Sequence, residues 1–394
     1  MLKTFRRGTE RAAPPRETIE RVARHAREFG ITRVANVTGR DLPGIPVVMV
    51  VRPNSRSVSV SQGKGITLEA ARASGLMEAA ELYHAENIEA PLRFSSFEDL
   101  RRRVNTIEVA RLPRLDTSGF HERLKILWIE GRDLLNERSV WLPLETVDAD
   151  YTLPRLTGAE CFPANTTGLA SGNHPLEAIS HAICEGIERH SMALWSDRSD
   201  EERAQTRVDP ATVDDADCGA LLECLTRCNF EAGVFDITSP IGVPAFLCRI
   251  LPRGDRWMTR PIVSDGMGCH PSPAIALIRA VTEAAQSRLS FVAGSRDDLT
   301  REEYEKLQGR LQMRYAEGEL AGPCTRSFTG ARGWHAETFE EDIERLKGLL
   351  QDAGMRQIAV VDLAKEQFGL PVVRVVIPGL RGMTTGRWET ARYM

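Results

Sequence analysis

Two patterns of apolar and polar positions recur along the chain. The first is an amphipathic helix followed by a short strand, a Gly-aliphatic-Pro turn and a second strand rich in β-branched residues. Sheets tolerate proline at the first position of a strand, so these turns suit paired strands. The strand pairs lie in residues 30–53, 229–252 and 354–378. We therefore predict an α+β fold in which a helix–strand–strand unit occurs three times and helices cover the sheets.

The second pattern is a helix that begins after a glycine-containing turn and carries polar residues on one face. Counted from an alanine that the copies share, a small residue follows at the fourth position, a glutamate at the seventh and another polar residue at the tenth. The glutamates are Glu78, Glu185 and Glu283, and the residues three positions later are Glu81, Glu188 and Gln286. Residues at this spacing share one face of a helix. The pattern predicts three related helices, which we call the acid helices.

The two patterns are interleaved along the chain, in the order hairpin, acid helix, acid helix, hairpin, acid helix, hairpin. This order predicts a single intertwined domain over residues 1–394, with its central motifs at 61–86, 165–195 and 266–298, rather than separate modules. Residues 299–336 are charged and contain several glycines, which favours a mobile surface insertion.

The composition restricts the class of protein without indicating an activity. The chain has 394 residues, a formal net charge of −4 and 42% apolar residues, which is typical of soluble globular proteins. This charge argues against a general nucleic-acid or lipid-binding surface, and the longest apolar runs are too short to cross a bilayer. With no signal peptide at the first residues, we expect a cytoplasmic protein whose eight scattered cysteines remain thiols.

The acid helices place like charges side by side. The carboxylates that share a face are Glu78 and Glu81 on the first helix, and Glu177, Glu185 and Glu188 on the second. Such pairs cost about 0.2–0.5 kcal/mol when exposed and more when buried. A Mg²⁺ ion among the carboxylates removes this cost, and Mg²⁺ usually shares its ligands with substrate phosphates. The spacing therefore favours a site for Mg²⁺ and a phosphate-bearing ligand.

The glycine turns before the acid helices add to this interpretation, because their backbone N–H groups suit phosphate, with Lys64 and Arg296 as candidate counter-charges. Two other interpretations stay open at this point. The helices could be ordinary amphipathic ones whose glutamates face water, or a zinc site could use His174 or His181. The repetition in three helices argues against the first, and the lack of HExxH or paired CxxC spacing argues against the second.

The central motifs resemble those of the YcaO family. The resemblance is carried by SQGKGITLEAARASGLMEAAELYHAE, NTTGLASGNHPLEAISHAICEGIERH and GMGCHPSPAIALIRAVTEAAQSRLSFVAGSRDD, and it spans nearly the whole chain. The opening segment GITRVANVTGRDLPGIPVVMVVRPNSRSVSVSQGKG is similar to the subgroup often encoded beside TfuA proteins. The resemblance implies a YcaO-like fold around a central Mg–ATP site.

The resemblance also implies an ATP-dependent enzyme that modifies backbone amides of a ribosomally made precursor peptide. A nucleophile adds to the amide carbon, the resulting oxyanion takes the γ-phosphoryl group of ATP, and phosphate then leaves. An external sulfur donor leads to a thioamide, whereas a neighbouring Cys, Ser or Thr side chain leads to an azoline ring. The partners implied are the precursor peptide and a TfuA-like protein, with a peptide-recognition protein and a second copy of the chain as further candidates.

Site residues carry over from the family's motifs by position. The implied Mg²⁺ ligands are Glu78, Glu81, Glu177, Glu185 and Glu188. The implied ATP contacts are Lys64, Asn173, Arg189, Glu283, Gln286 and Arg296, with Arg11 and Thr18 matched by a shorter motif. Gln286 stands where the repeat has a carboxylate, so we expect its helix to contact nucleotide or substrate rather than metal. The resemblance identifies no catalytic acid or base.

The chain departs from azoline-forming members in its last residues, which read GMTTGRWETARYM instead of a Pro-rich tail. We also expect it to lack a fused partner domain and a peptide-recognition module. We therefore expect thioamide formation with a TfuA-like partner, with an azoline-forming cyclodehydratase as the alternative. A non-catalytic nucleotide-binding helper protein and a metallohydrolase that uses the same acids on water are the hypotheses of other classes.

Overall fold

A computed structural model describes residues 1–154, 160–253, 262–294 and 310–382. Arg296 and residues 299–309 of the predicted insertion lie outside the described residues. The helices are α1 (Pro15–Ala23), α2 (Leu68–Glu86), α3 (Phe97–Leu100), α4 (Pro175–Ser196), α5 (Asp200–Ala204), α6 (Ala216–Arg227), α7 (Pro273–Ala293), α8 (Arg310–Ala321) and α9 (Phe339–Asp352). None of the helices among these residues is both long and apolar enough to cross a membrane.

The strands form several separate sheets. They are β1 (Arg33–Asn36), β2 (Val47–Val51), β3 (Val60–Lys64), β4 (Leu92–Ser96), β5 (Lys125–Asp133), β6 (Arg138–Pro143), β7 (Leu169–Ser171), β8 (Val208–Asp209), β9 (Phe230–Asp236), β10 (Ala245–Pro252), β11 (Ser264–Cys269), β12 (Arg326–Ser327), β13 (Ala359–Asp362) and β14 (Val372–Val376). The sheet orders are β1-β2-β3, β11-β10-β9 and β4-β5-β13-β14-β7, with β6 paired to β5 and a short pair of β8 with β12. Helices and sheets are therefore mixed, as the sequence predicts.

Each predicted Gly-aliphatic-Pro turn joins a pair of antiparallel strands. The pairs are β1 with β2, β9 with β10, and β13 with β14. In the turns, Gly44, Gly242 and Gly369 have φ of 66°, 87° and 60°. Glycine adopts these positive values at little cost because it has no Cβ. The helices α1, α6 and α9 precede the three pairs, so each helix–strand–strand unit is present.

A third strand completes each unit and leads into an acid helix. In the first two units the third strand follows its hairpin along the chain: β3 pairs with β2 and enters α2, and β11 pairs with β10 and enters α7. In the third unit, β14 pairs with β7, which comes much earlier in the chain and enters α4. The chain thus returns at its far end to complete the unit of the second acid helix.

Strand and acid helix pack backbone to backbone. A Cβ on Gly63 would lie 1.9 Å from the carbonyl oxygen of Ala71, and a Cβ on Gly268 would lie 2.0 Å from that of Ala276. In the unit of α4 the matching strand residue is Ala170, which is fully buried. The small residues of the repeat are therefore explained by the close approach of each helix to its own strand.

The described part of the predicted insertion, residues 310–336, contains helix α8 and is packed against the core. Ala316 and Leu320 are buried in the same hydrophobic cluster as residues of α4 and β10. Leu320 lies over β9, where a Cβ on Gly233 would be only 2.0 Å from its Cδ2. Ala316 also lines the cavity described next, so this part of the segment is packed into the protein rather than extending from its surface.

Candidate active site

The three acid helices, their preceding strands and the N-terminal segment surround one cavity of about 760 Å³. Among the described candidate residues, those that line it are Arg11, Thr18, Lys64, Glu78, Glu81, Asn173, Glu177, Glu185, Glu188, Arg189, Glu283 and Gln286. The structure therefore brings together side chains that are more than 270 positions apart in the sequence, from Arg11 to Gln286. The cavity is the natural place to test the predicted site.

The glutamates at the seventh position of the repeat are held by backbone N–H groups of the preceding strand or, for Glu185, of the residue directly before that strand. Glu78 accepts a hydrogen bond from the backbone N–H of Gln62 at 3.3 Å, and Glu283 accepts one from Met267 at 3.4 Å. Glu185 accepts one from the N–H of Gly168 at 3.1 Å. Each acid helix thus fixes a carboxylate against the strand that precedes it.

The glutamates at the tenth position connect one unit to the next. Glu81 of α2 accepts hydrogen bonds from the N–H of Ser171 in β7, at 2.8 Å, and from its hydroxyl at 2.6 Å. Glu188 of α4 accepts one from the N–H of Cys269 in β11 at 2.9 Å. Helix α7 in turn contacts β3. The three units therefore close a ring around the cavity, with acids at the junctions.

Burial of these carboxylates perturbs their protonation. Burial and the neighbouring charge of Glu81 raise the pKa of Glu78 to about 8. Burial raises the pKa of Glu81 to about 7, although its bonds to Ser171 act in the opposite direction. Burial and the charge of Glu283 raise the pKa of Glu188 to about 7, and burial also raises that of Glu185. Desolvation thus favours the neutral acids when no cation is nearby.

The third acid helix is electrostatically different. Glu283 forms an ion pair with Lys64 of β3. Burial acts to raise the pKa of Glu283, but Lys64 and Arg189 outweigh it and the pKa is lowered. The side-chain oxygen of Gln286 is buried and has no hydrogen-bond partner among the described residues. Glu283 of the third acid helix is therefore already paired with a cation, Lys64. On α2, in contrast, neither Glu78 nor Glu81 forms an ion pair in the part of the chain that the structure describes.

Arg189 lies between the carboxylates of α4. Its guanidinium nitrogens are 3.6 Å from Glu185 and 3.9 Å from Glu188. Burial acts to lower the pKa of Arg189, but Glu188 and Glu185 outweigh it and raise the pKa. One guanidinium thus partly neutralises two acids, leaving an excess of negative charge when the acids are ionised.

The N-terminal segment meets the start of α4. Glu177, whose side chain is 2% exposed, forms an ion pair with Arg11 at 3.2 Å and accepts hydrogen bonds from the N–H groups of Ala12, at 2.9 Å, and Asn173. The hydroxyl of Thr18 lies 3.0 Å from the amide nitrogen of Asn173. Glu177 is therefore engaged by the N-terminal segment and differs in surroundings from Glu185 and Glu188, although all three share one helix face.

Comparison with known proteins agrees with this architecture. A family model described as "YcaO cyclodehydratase, ATP-ad Mg2+-binding" matches residues 62–381. A protein from Rhizobium leguminosarum bv. trifolii, described as an uncharacterized protein in the tfuA 3' region, is 38% identical over 96% of this chain and 90% of its own length. The chain belongs to the YcaO family. An uncharacterized protein from Methanothermobacter thermautotrophicus is 32% identical over 94% of both chains.

Solved structures show the same fold as this YcaO protein. The structure of YcaO from Methanopyrus kandleri bound with AMPPCP and Mg²⁺ has a TM-score of 0.75 at 22% identity and covers 100% of this chain and 97% of its own. A heterocyclase in complex with substrate and cofactor has a TM-score of 0.79 at 21% identity. It covers 97% of this chain but 53% of its own, so the present chain spans about half of that protein.

ATP and Mg²⁺ are the cofactors of the YcaO family, and the donor set of the cavity fits them. The glutamates that line the cavity offer carboxylate oxygens, which are the ligands that hard cations such as Mg²⁺ prefer. Among the described residues, no group of three or more His, Cys, Asp or Glu side chains is arranged to hold a metal ion alone. Ligands from nucleotide phosphates would complete the coordination, which is the usual way in which proteins bind Mg²⁺.

Two cavity residues were not among the predicted site residues of the YcaO motifs. Arg279 donates to Nδ1 of His181 at 2.9 Å and to the carbonyl oxygen of Cys269 at 3.3 Å. A guanidinium has no acceptor, so Nδ1 accepts and the proton of the neutral ring lies on Nε2. Burial lowers the pKa of His181, and Arg279 lowers it further. The imidazole is therefore neutral at pH 7.

Arg279 is also a cation without a carboxylate partner within ion-pair distance among the residues described. Burial and the charge of Arg11 lower its pKa. His181 and Arg279 both occupy the third position of the acid-helix repeat, next to the acid face. Extending the alignment of the three helices to that position would have identified them as cavity residues.

Proposed function

We propose that this protein activates a backbone amide of a ribosomally made peptide by ATP-dependent O-phosphorylation. The observation that supports the proposal is the ring of carboxylates that lines the cavity. Among the described residues, Glu78 and Glu81 have no ion-pair partner and Glu185 and Glu188 share the single guanidinium of Arg189, in keeping with the raised pKa values of Glu78, Glu81 and Glu188. Binding of a cation near Glu78, Glu81 and Glu188 would stabilise their ionised forms and therefore the folded protein. Carboxylates held in this way are typical of sites for Mg²⁺ and nucleotide.

Roles for the residues follow from their places in the cavity. Glu78, Glu81, Glu185 and Glu188 would hold Mg²⁺, and Lys64 and Arg189 would contact the phosphates. Thr18 and Asn173, joined to each other at the start of α4, would contact the nucleotide. Glu177 would act with Arg11 at the same end of the cavity. Bound Mg²⁺ would supply charge neutralisation at the phosphoryl oxygens.

The proposed chemistry has a simple balance. A nucleophile adds to the amide carbon and the carbonyl oxygen becomes an oxyanion, which attacks the γ-phosphorus and releases ADP. Collapse of the adduct then expels that oxygen as phosphate. Hydrosulfide or a carried sulfur atom as nucleophile leaves a thioamide, whereas a neighbouring thiol or hydroxyl leaves an azoline. Cations that line the cavity, such as Arg279, would stabilise the negative charge that develops during transfer.

We favour the thioamide product and a TfuA-like partner. The support is the relative encoded in the tfuA 3' region, which is similar to this chain over almost its whole length. The description of the family model and the heterocyclase among the structural neighbours favour the azoline product instead.

Co-expression with a neighbouring TfuA-like protein and a candidate precursor peptide tests this proposal. Mass spectrometry should show a gain of about 16 Da per modified amide for exchange of oxygen by sulfur, whereas ring closure with loss of water would give a decrease of about 18 Da. Purified protein should release phosphate from ATP only when peptide is present. ATP turnover that does not respond to any peptide would contradict amide activation, and hydrolysis of a substrate without ATP would favour a metallohydrolase.

A further inference from the structure

The first residues of the chain are attached to helix α9, far along the sequence. The backbone N–H of Lys3 donates to the carbonyl oxygen of Glu337 at 3.1 Å. Phe5 and Arg11 exchange two backbone hydrogen bonds of 3.0 and 2.9 Å, which close residues 5–11 into a loop that we call the strap. Arg7, Gly8 and Thr9 at the tip of the strap line the cavity.

A buried group of three charges fixes the strap. The ammonium group of Lys3 lies 2.5 Å from Glu10, at the end of the strap, and 2.6 Å from Asp342 of α9. The side chains of Lys3 and Asp342 are each 1% exposed, and that of Glu10 is 7% exposed. Asp342 is itself held by the indole N–H of Trp334 at 2.9 Å. Because water cannot screen these charges, their geometry is well defined.

The strap delivers its next residues to the acid helix. Arg11 follows Glu10 directly and forms the ion pair with Glu177, and the N–H of Ala12 donates to the other oxygen of the same carboxylate. At its tip, Gly8 has a φ of 65°, and a Cβ there would lie 2.5 Å from Ile66, which follows β3. The strap thus extends from the unit of α4 to that of α2 at one side of the cavity.

We propose that Lys3 and Glu10 are positioning residues for the nucleotide end of the cavity. The contact between Lys3, Glu10 and Asp342 holds the strap so that Arg11 and the N–H of Ala12 meet Glu177 before nucleotide binds. Pre-organisation of this kind improves affinity because the ordering does not have to occur during binding. The inference depends on the proposed function, since it assigns the cavity to a nucleotide.

A second tie between the strap and the region of α9 provides a matched control. Arg6 forms an ion pair of 2.6 Å with Glu337, but its side chain is 39% exposed and that of Glu337 is 74% exposed. Exposed pairs of this kind contribute little. If burial of the charges gives the strap its fixed geometry, Glu10→Met should loosen Arg11, whereas Arg6→Ala should leave it in place.

Calorimetric titration with Mg²⁺ and a non-hydrolysable ATP analogue tests the proposal in the full chain. Glu10→Met leaves Lys3 paired with Asp342 and should weaken binding about tenfold, because Arg11 is no longer held. Lys3→Met should have a similar effect and Lys3→Arg a smaller one. In the double variant Glu10→Met/Arg11→Ala the two losses of affinity should be less than multiplicative, because both substitutions act on the contact with Glu177. Wild-type affinity in Glu10→Met, or effects that multiply in the double variant, would overturn the proposal.

Hydrogen exchange separates this inference from the assignment of the cavity to ATP. The amide of Arg11, which donates to Phe5, should exchange faster in Glu10→Met than in wild type or Arg6→Ala, with no nucleotide present. Unchanged exchange would refute the positioning of the strap even if nucleotide binds. If the wild-type chain binds no Mg–nucleotide, the proposed function fails, and the inference about the nucleotide end fails with it.

Discussion

Binding of Mg–nucleotide should become tighter as the pH rises from 6 to 9. Three of the acids that line the cavity have raised pKa values, about 8 for Glu78 and about 7 for Glu81 and Glu188. Carboxylates must be ionised to bind a metal ion, so binding releases the protons that they carry. The experiment therefore measures Mg–nucleotide binding as a function of pH, for the wild-type chain and for Glu78→Gln.

The magnitude follows from these values. At pH 7 a carboxyl group with a pKa of about 8 is about 90% protonated, and groups with a pKa of about 7 are about half protonated. If all three become ionised, about two protons are released per nucleotide bound, and the logarithm of the binding constant rises by about 2 per pH unit around pH 7. Above about pH 9 the slope should approach zero because the free protein is already ionised.

Stability of the ligand-free protein should change in the opposite direction. A raised pKa in the folded state means that the folded chain holds its protons more strongly than the unfolded chain. The stability contributed by Glu78, Glu81 and Glu188 is therefore fully present below about pH 4.5 and is lost as the pH rises through about 7–8. Saturating Mg–nucleotide should reverse this loss, because it binds the ionised form.

Calorimetry in two buffers with different ionisation enthalpies measures the number of protons directly. We expect about two protons at pH 7 for wild type and about one for Glu78→Gln, because a glutamine side chain has no dissociable proton. Affinity that does not depend on pH, with no proton release, would refute the argument that burial keeps these acids neutral.

The other expected outcomes concern single substitutions. Glu185→Gln should abolish peptide-stimulated ATP turnover while the melting temperature stays within about 3 °C of wild type; unfolding would indicate a structural role instead. Arg279→Met should weaken Mg–nucleotide binding about tenfold or more, because the cavity loses a cation that has no carboxylate partner among the described residues, and unchanged affinity in calorimetry would place phosphate away from it. Gly268→Ala should cost about 3 kcal/mol of unfolding free energy because its Cβ would meet the backbone of the acid helix. Gly348→Ala, where a Cβ meets nothing within 4 Å, should instead stabilise by about 0.5–1 kcal/mol; equal effects of these two in denaturant titrations would contradict the packing argument.

The local elements could be predicted because their signals are local. The hairpins follow from turns such as Gly44-Ile45-Pro46, in which a glycine with a positive φ is followed by a proline directly before the second strand. The acid faces of α2 and α4 follow from helical periodicity, which depends only on spacing. The family also follows from the motifs, and the match over residues 62–381 confirms it. Thioamide formation stays a prediction.

The surroundings of the site residues could not be predicted from the sequence, because they depend on residues far away in the chain. Glu177 shares a helix face with Glu185, yet Arg11 neutralises the first while burial raises the pKa of the second. Arg279 does not stand out in the sequence, and His181 was considered there only as a zinc ligand; their hydrogen bond across two helices gives them their chemistry. Residues 310–336 look like a surface segment by composition, but Leu320 packs into the core.

By itself the sequence determined the three repeated units, the acid faces and the family, because turn chemistry and helical spacing act between neighbours. Only the tertiary structure decided how the units close. Strand β7, which leads into helix α4, is paired by the hairpin β13–β14 from the far end of the chain. The hydrogen bonds from Ser171 to Glu81 and from Cys269 to Glu188 join the units into a ring. Burial within that ring raises the pKa values of the acids, and burial is a property of the whole packed chain.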